Sequence, residues 1–323
     1  MIDAAMIGLG WWGKNLVTAV QGKSDRIRFI RGVTKEPDSV REFARGHAME
    51  LSTELTEVLA DPRVQAVVLA TPHSLHVDQI VAAARAGKPV FCEKPLALKR
   101  AEAARAIEAC GRAGVPLGLG ANKRLWSSMK ELRRVAASGV LGEILHIEGH
   151  YSNENSGAMF AAWREAPGES PGGGMTGSGL HILDALLSLG GPVRRVEARL
   201  MSRKPSPDPL DTVSALIEFK SRVTGMFASV RASPLYWRVH VFGRAGSAEV
   251  LGETEMVLRR SGGKTETMSL AAVDSLRAEL EGFADAVAGK APFHIAPQQM
   301  LDTVTAFEAV IASIESGAPV TIG

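Results

Sequence analysis

Six residues near the start of the chain, Gly8-Leu9-Gly10-Trp11-Trp12-Gly13, restrict the folds open to it more than any other feature. This G-x-G-x-x-G run directly follows an apolar strand-like stretch, Ala4 to Gly8, and opens a helix-like one. Its glycines permit a tight turn and let a pyrophosphate approach backbone N–H groups, and the helix N-terminus stabilises the negative charge. A glycine turn by itself can be no more than a turn. Here it heads a region where short apolar runs alternate with amphipathic stretches, and in that context it predicts dinucleotide binding. The further candidate strands are Ile27 to Val33, Ala66 to Ala70, Pro89 to Cys92 and Pro116 to Leu119. Ala66 to Ala70 is apolar throughout, as a parallel strand buried on both faces requires. Between strands, Ser74 to Ala86 carries Val77, Ile80, Val81 and Ala84 at helical spacing, with Ser74 as cap and Gly87 past the end. This alternation predicts an α/β domain with a doubly wound parallel sheet over residues 1–122.

Beyond about residue 124 the texture changes. Strand-like segments follow one another: Glu143 to Ser152, Val193 to Ser202, Thr212 to Lys220, Val223 to Ala232 and Trp237 to Phe242. A glycine-rich stretch, Pro171 to Gly179, leads into a helix from Leu180. Two late helices are striped by Leu276, Leu280, Phe283 and Val287, and by Leu301, Val304, Val310, Ile311 and Ile314. Residues 123–323 therefore read as an α+β domain with an open, largely antiparallel sheet. A bare sheet face exposes apolar surface, so this domain is expected to form a homodimer or homotetramer through it.

Composition excludes several other classes. Hydrophobic residues make up 46% of the 323, too many for disorder, and the scattered glycines break any coiled coil. Lys and Arg number 37 against 35 acidic residues with no block of like charge, so no nucleic-acid partner is expected. Cys92 and Cys110 are too few for a disulfide framework or a cysteine-based zinc site. His47, His73, His146, His150, His240 and His294 form no spaced ligand set, and no metal is expected. Met1-Ile2-Asp3 lacks a basic signal-peptide start, and no apolar run nears the ~18 residues of a membrane helix. The expectation is a cytoplasmic protein with no membrane partner.

Cofactor choice turns on the end of the second strand, Gly32-Val33-Thr34-Lys35-Glu36, where an NAD-binding chain should place a carboxylate for the ribose diol. Thr34 followed by Lys35 suits a 2′-phosphate better, which favours NADP with NAD possible. The alternative leaves Lys35 in solvent and gives the ribose to Glu36. Two further segments, Thr71-Pro72-His73-Ser74-Leu75-His76 and Glu93-Lys94-Pro95, lie at carboxyl ends of strands, where open α/β sheets bind ligands. A lysine there can hydrogen-bond a substrate hydroxyl and pass its proton, although Lys94 alone would read as a solvated side chain.

These segments, with Ala86-Gly87-Lys88-Pro89-Val90-Phe91-Cys92 leading into Glu93-Lys94-Pro95, resemble the Gfo/Idh/MocA oxidoreductase family. Trp163-Arg164, Gly172-Gly173-Gly174, Gly179-Leu180-His181-Ile182-Leu183-Asp184 and Ser316-Gly317-Ala318-Pro319-Val320 are similar to its second-domain and C-terminal patterns. The resemblance covers essentially the whole chain. It implies a Rossmann domain followed by a substrate domain, and NAD(P)-dependent hydride exchange with a sugar-like or polyol hydroxyl/carbonyl. It also implies Lys94 and His181 as the catalytic pair acting on substrate. Together, the residues' own reading and the resemblance give as cofactor residues Gly8, Gly10, Trp11, Trp12, Gly13, Thr34, Lys35, Thr71, Pro72, His76, Glu93, Lys94, Asn122, Trp163 and Arg164. Lys94, Arg124 and His181 are the substrate residues implied.

One position departs from the family pattern. Gly177 stands four residues before His181, where many members carry an aspartate, and Asp184, one turn deeper, reads as structural. That keeps open a non-sugar subclass, of the dihydrodiol or biliverdin kind; the resemblance itself, to a family that includes a co-repressor, leaves a non-catalytic dinucleotide sensor as the other alternative. Substrate identity is expected to depend on the segment from Tyr151 to Gly174.

Overall fold

Short apolar strands build the first unit. In the computed structural model, which describes residues 1–154, 162–166, 168–203, 205, 208 and 210–323, six strands form one parallel sheet. They are β1 (Ile2–Ile7), β2 (Ile27–Val33), β3 (Glu50–Ser52), β4 (Ala66–Leu69), β5 (Val90–Glu93) and β6 (Leu117–Gly120), in the order β3-β2-β1-β4-β5-β6. β4 is buried at all four positions, which is why it reads as a continuous apolar run. β3 is too short, at three residues, to show a period in the sequence. The connecting helices are α1 (Trp11–Val20), α2 (Pro37–Gly46), α3 (Leu55–Ala60), α4 (His76–Arg85) and α5 (Arg100–Ala113). The order runs outward from β1 in both directions, so the switch point lies between β1 and β4, where such sheets take their ligands.

The second unit follows with α6 (Ser127–Ala137), β7 (Ile144–Asn153), α7 (Leu180–Gly190), β8 (Val193–Met201), β9 (Thr212–Phe219), β10 (Thr224–Arg231) and β11 (Tyr236–Gly243). β12 (Gly246–Leu251), β13 (Glu255–Arg260) and β14 (Glu266–Ser269) extend the sheet, α8 (Ser275–Val287) and α9 (Pro297–Ser316) follow, and β15 (Val320–Thr321) ends the chain. The order is β14-β13-β12-β11-β7-β10-β9-β8-β15; among the described residues β7 and β10 pair in parallel and the other ladders are antiparallel. α7 lies against β7 at Gly149, where a Cβ would come 2.5 Å from Leu186 and 2.6 Å from Ile182. Sequence patterning stops at Phe242 because each strand beyond it buries few apolar residues, such as Met256 and Leu258 in β13.

The opposite sheet face carries a registered row, Leu216, Met226, Glu148, His240 and Glu249. Leu216 is 58% and Met226 44% exposed. Among the described residues no helix is long and apolar enough to cross a membrane.

The stripe on α8 finds its partner in the first unit, not in the sheet beside it in sequence. Leu280 and Phe283 are fully buried in one core with Ala4, Met6, Phe29 and Phe91. Gly118 of β6 makes the room: a Cβ there would meet Phe91 at 2.9 Å and Phe283 at 3.1 Å. Burying one such ring contributes ~1.5–3 kcal/mol. Met1–Asn122 and Asp274–Met300 thus form the first unit, and Lys123–Val273 with Leu301–Gly323 the second. The sequence division into 1–122 and 123–323 does not contain this return of the chain, because a stripe shows that a helix face is buried but not against what.

Candidate active site

β1 gives way to Gly8, whose φ of +96° lies in the left-handed region. A Cβ on Gly8 would stand 2.5 Å from the Ala70 carbonyl oxygen, and one on Gly13 2.0 Å from that of Gly8. Backbone packing therefore requires both glycines. Gly10 differs, because a Cβ there would meet nothing within 4 Å. The space over Gly10 is open, and among the described residues no side chain caps α1, so its first N–H groups are available as donors. A pyrophosphate fits such a cradle. Trp11 is 62% exposed, with its ring 5.4 Å from that of the half-buried Trp12. Past β2, the Thr34 hydroxyl accepts from Glu36 N at 3.2 Å, and Lys35 is exposed with no ion pair among the described residues.

The two loops beyond β4 and β5 are tied to each other. His76, fully buried, places Nε2 3.0 Å from the Thr71 carbonyl oxygen and Nδ1 2.8 Å from that of Pro95. The ring clamps the loop carrying Thr71 and Pro72 to the one carrying Lys94. His76, expected to touch the cofactor, also holds these two loops together through backbone oxygens. Thr71 Oγ1 donates to Gln79 Oε1 at 2.7 Å. Asn122 Nδ2 donates to Ser275 Oγ at 3.0 Å, so that residue anchors the start of α8. Cys92 is buried and its thiol is pushed well up by burial, which leaves it inert as a nucleophile.

Two buried carboxyls stand behind Lys94. Glu93 Oε2 accepts from Lys94 N at 3.3 Å, and Gly120 leaves room for the carboxylate, since a Cβ there would lie 2.7 Å from it. Burial raises the Glu93 pKa; the Trp12 indole N–H and the Lys94 charge oppose this. The indole does so without hydrogen-bond geometry, because Trp12 Nε1 and Glu93 Oε1 are both buried without a partner among the described residues. Glu279 on α8 is fully buried, and neither of its oxygens has a partner among the described residues. Burial and the Glu93 charge push its pKa well above the ordinary value, and the Ala121 amide opposes this weakly. Glu279 could be found in the sequence as an acid inside the apolar stripe of Leu276, Leu280 and Phe283.

The sign of the resulting pH effect is fixed by linkage. Below the ordinary carboxylate range both folded and unfolded states hold the proton. Above it the unfolded chain ionises while native Glu279 does not, so stability falls as pH rises. Glu279→Gln should remove that fall. Melting of the two proteins across pH 4 to 8 should give curves that meet at the acid end and diverge upward, with the variant more stable. Parallel curves would contradict a protonated Glu279.

In the second unit, Gly173 and Gly174 lie against Asp211. A Cβ on either would come within 2.1 or 2.4 Å of its carboxylate, and Gly174 N donates to Oδ2 at 2.9 Å. Arg231 holds that carboxylate through Nε at 2.8 Å and Nη2 at 2.5 Å, with both side chains buried. This buried pair, invisible until β9 and β10 are paired, secures the turn Met175–Gly179 that precedes His181 near the start of α7. His181 stands edge-on to Tyr151, ring centres 6.2 Å apart. Gly177 has open space where a Cβ would go, so packing does not exclude an aspartate there.

Arg124 makes a buried ion pair. Its Nε and Nη2 each donate to Asp184 at 2.8 Å, both residues are buried, and Thr303 Oγ1 donates to Asp184 Oδ1 at 3.3 Å. The Nε and Nη2 donors of Arg124, a residue expected to meet substrate, are thus engaged by Asp184, a residue read from the sequence as structural. Arg164 stacks over Trp163 at 4.4 Å within the short turn Ala162–Glu165. Burial lowers its pKa, and the neighbouring Arg231 adds to this. Of the Tyr151 to Gly174 segment, residues 155–161 and 167 lie outside the described residues.

Comparison with known proteins matches both units. Residues 2–121 match a family model described as an oxidoreductase family with NAD-binding Rossmann fold, and residues 129–249 match the GFO/IDH/MocA C-terminal domain. An uncharacterised oxidoreductase of Schizosaccharomyces pombe is 32% identical over 49% of this chain and 43% of its own. The NADP(+)-dependent scyllo-inositol 2-dehydrogenase of Bacillus subtilis is 28% identical over 68% of this chain and 60% of its own. The chain thus spans less than two thirds of either relative. A levoglucosan dehydrogenase solved with NADH and L-sorbose shares the fold, with a TM-score of 0.89, 20% identity, and coverage of 100% of this chain and 99% of that one.

Proposed function

The chain belongs to the Gfo/Idh/MocA oxidoreductase family, and from that premise we propose that it is an NAD(P)-dependent dehydrogenase or reductase acting on a sugar-like or polyol CH–OH/C=O pair. The observation that carries this reading is the open cradle over Gly10 in the same sheet that presents Lys94 at the end of β5. Gly8, Gly10 and Gly13 with the first turn of α1 hold the pyrophosphate. Trp11, Trp12, Glu93 and the loop clamped by His76 border the nicotinamide end, and Trp163 with Arg164 are further cofactor residues that the family resemblance implies. The bound nicotinamide supplies hydride chemistry. Lys94 hydrogen-bonds the reacting oxygen of the substrate and gives or takes its proton, and His181 acts on the same oxygen. With Gly177 in place of an acid, His181 has no carboxylate at that position to share its role, which favours substrates lacking the hydroxyl such an acid would bind.

NADP is the preferred cofactor in this reading. Lys35 is an exposed cation with no ion pair among the described residues, beside the Thr34 hydroxyl and suited to a 2′-phosphate, and position 34 holds no carboxylate to repel one. NADPH should therefore bind more tightly than NADH, and Thr34→Asp should reverse the order by like-charge repulsion. Equilibrium titration of both cofactors measures it; tighter NADH binding by the parent protein would overturn the assignment. The sheet row through Leu216 and Met226 is the surface we assign to homo-oligomer formation. Both cysteines are buried thiols, which suits a reducing cytoplasm.

A further inference from the structure

Within the second unit, Lys123 occupies an aromatic box. Its Nζ lies 4.0 Å from the ring centre of Trp126, 4.8 Å from that of Tyr151 and 5.3 Å from that of Trp237. The rings brace one another, Trp237 standing 5.2 Å from Trp126 and 5.5 Å from Tyr151, and all three are buried. Tyr151 also meets the ring of His181, so the box adjoins the residue assigned to substrate.

The box leaves the ammonium incompletely satisfied. Aromatic faces attract a cation but accept its hydrogen bonds poorly, contributing ~0.5–2 kcal/mol each, whereas a desolvated charge without an acceptor costs several kcal/mol. Among the described residues no oxygen accepts a hydrogen bond from Lys123 Nζ, and the side chain retains partial exposure. Glu253 is near enough to favour the charge but does not pair with it. A neutral hydroxyl would relieve this only in part. An anionic oxygen would relieve it fully, in surroundings where three rings exclude water and strengthen the bond.

We propose that Lys123 is a specificity-determining residue whose boxed ammonium binds a carboxylate of the substrate, so that the favoured substrates are sugar acids rather than neutral sugars. This rests on the oxidoreductase reading for the step that follows binding, but not for binding itself. The ammonium is expected to lose its proton early, since burial lowers its pKa to about 8. Preference for acids should accordingly be full below that pH and fade above it.

Trp126 and Trp237 provide a signal, since fluorescence of the box should change when a carboxylate enters. D-Gluconate and D-glucuronate are titrated against D-glucitol and D-glucose with the NADP-loaded protein, its Lys123→Met variant and its Lys123→Arg variant. The parent should bind the acids about tenfold to a hundredfold more tightly than their neutral partners. Lys123→Met should abolish that ratio by weakening the acids far more than their neutral partners, and Lys123→Arg should keep it. Acids that bind no better than neutral partners, or a ratio that survives in Lys123→Met, would overturn the proposal. Acid selectivity without turnover of any ligand would instead sink the oxidoreductase reading and leave Lys123 in place.

Discussion

Lys94→Ala should lower turnover by about 10²–10⁴, the span for removing an acid/base group, while cofactor affinity stays within a few-fold. The expectation follows from how the residue is held. Lys94 directly follows β5, which pairs with β4 on one side and β6 on the other. The buried Glu93 precedes it, and the next carbonyl oxygen, that of Pro95, is fixed by His76. Pyrophosphate binding uses a different part of the sheet, the Gly8 to Gly13 turn, and should survive the substitution. His181→Ala should also lower turnover. Groups that act as a unit give non-additive losses, so the double variant should be little worse than Lys94→Ala alone. Steady-state rates at saturating cofactor for the four proteins measure this, and full additivity would show that the two residues act independently.

The second large effect is on stability. Asp211→Ala should destabilise the second unit by ~3–5 kcal/mol, the cost of removing one partner of a buried ion pair. The Arg231 guanidinium loses its carboxylate, and Gly174 N loses its acceptor. Gly174→Ala attacks the same contact from the other side, since its Cβ would fall 2.4 Å from Asp211 Oδ1. The two substitutions should therefore be less than additive in denaturant unfolding. An Asp211→Ala variant as stable as the parent would show that the glycine stretch is held by something other than this pair.

Much of the first unit was legible in the sequence, because its strands are buried on both faces and announce themselves as apolar runs between helices. Gly8, Gly10 and Gly13 were found together, but their distinct reasons were not. Two are required by backbone contact and one leaves space for a ligand, and only the neighbouring Ala70 and Gly8 oxygens tell them apart. The placement of α8 was illegible, since Phe283 packs on Phe91 across a sequence separation no local pattern spans. Residue type and motif place Arg124 and His76 in a functional neighbourhood. Whether the side chain faces a ligand or a partner such as Asp184 depends on tertiary packing. The aromatic box of Lys123 combines residues from the turn just before α6, from β7 and from β11, and has no spacing to read.

The central claim, that this chain binds a nicotinamide cofactor and uses Lys94 to run hydride exchange with a sugar-like carbonyl, is tested most directly by single-turnover mixing. Protein loaded with NADPH is mixed with a panel of neutral and acidic sugar carbonyl compounds, and loss of reduced-cofactor absorbance is followed in the parent and in Lys94→Ala. The account predicts oxidation of the bound cofactor by at least one panel member in the parent, and a rate lower by about 10²–10⁴ in the variant. Tight NADPH binding with no oxidation by any member, or a Lys94→Ala rate equal to the parent's, would contradict it and leave a protein that binds a dinucleotide without catalysis.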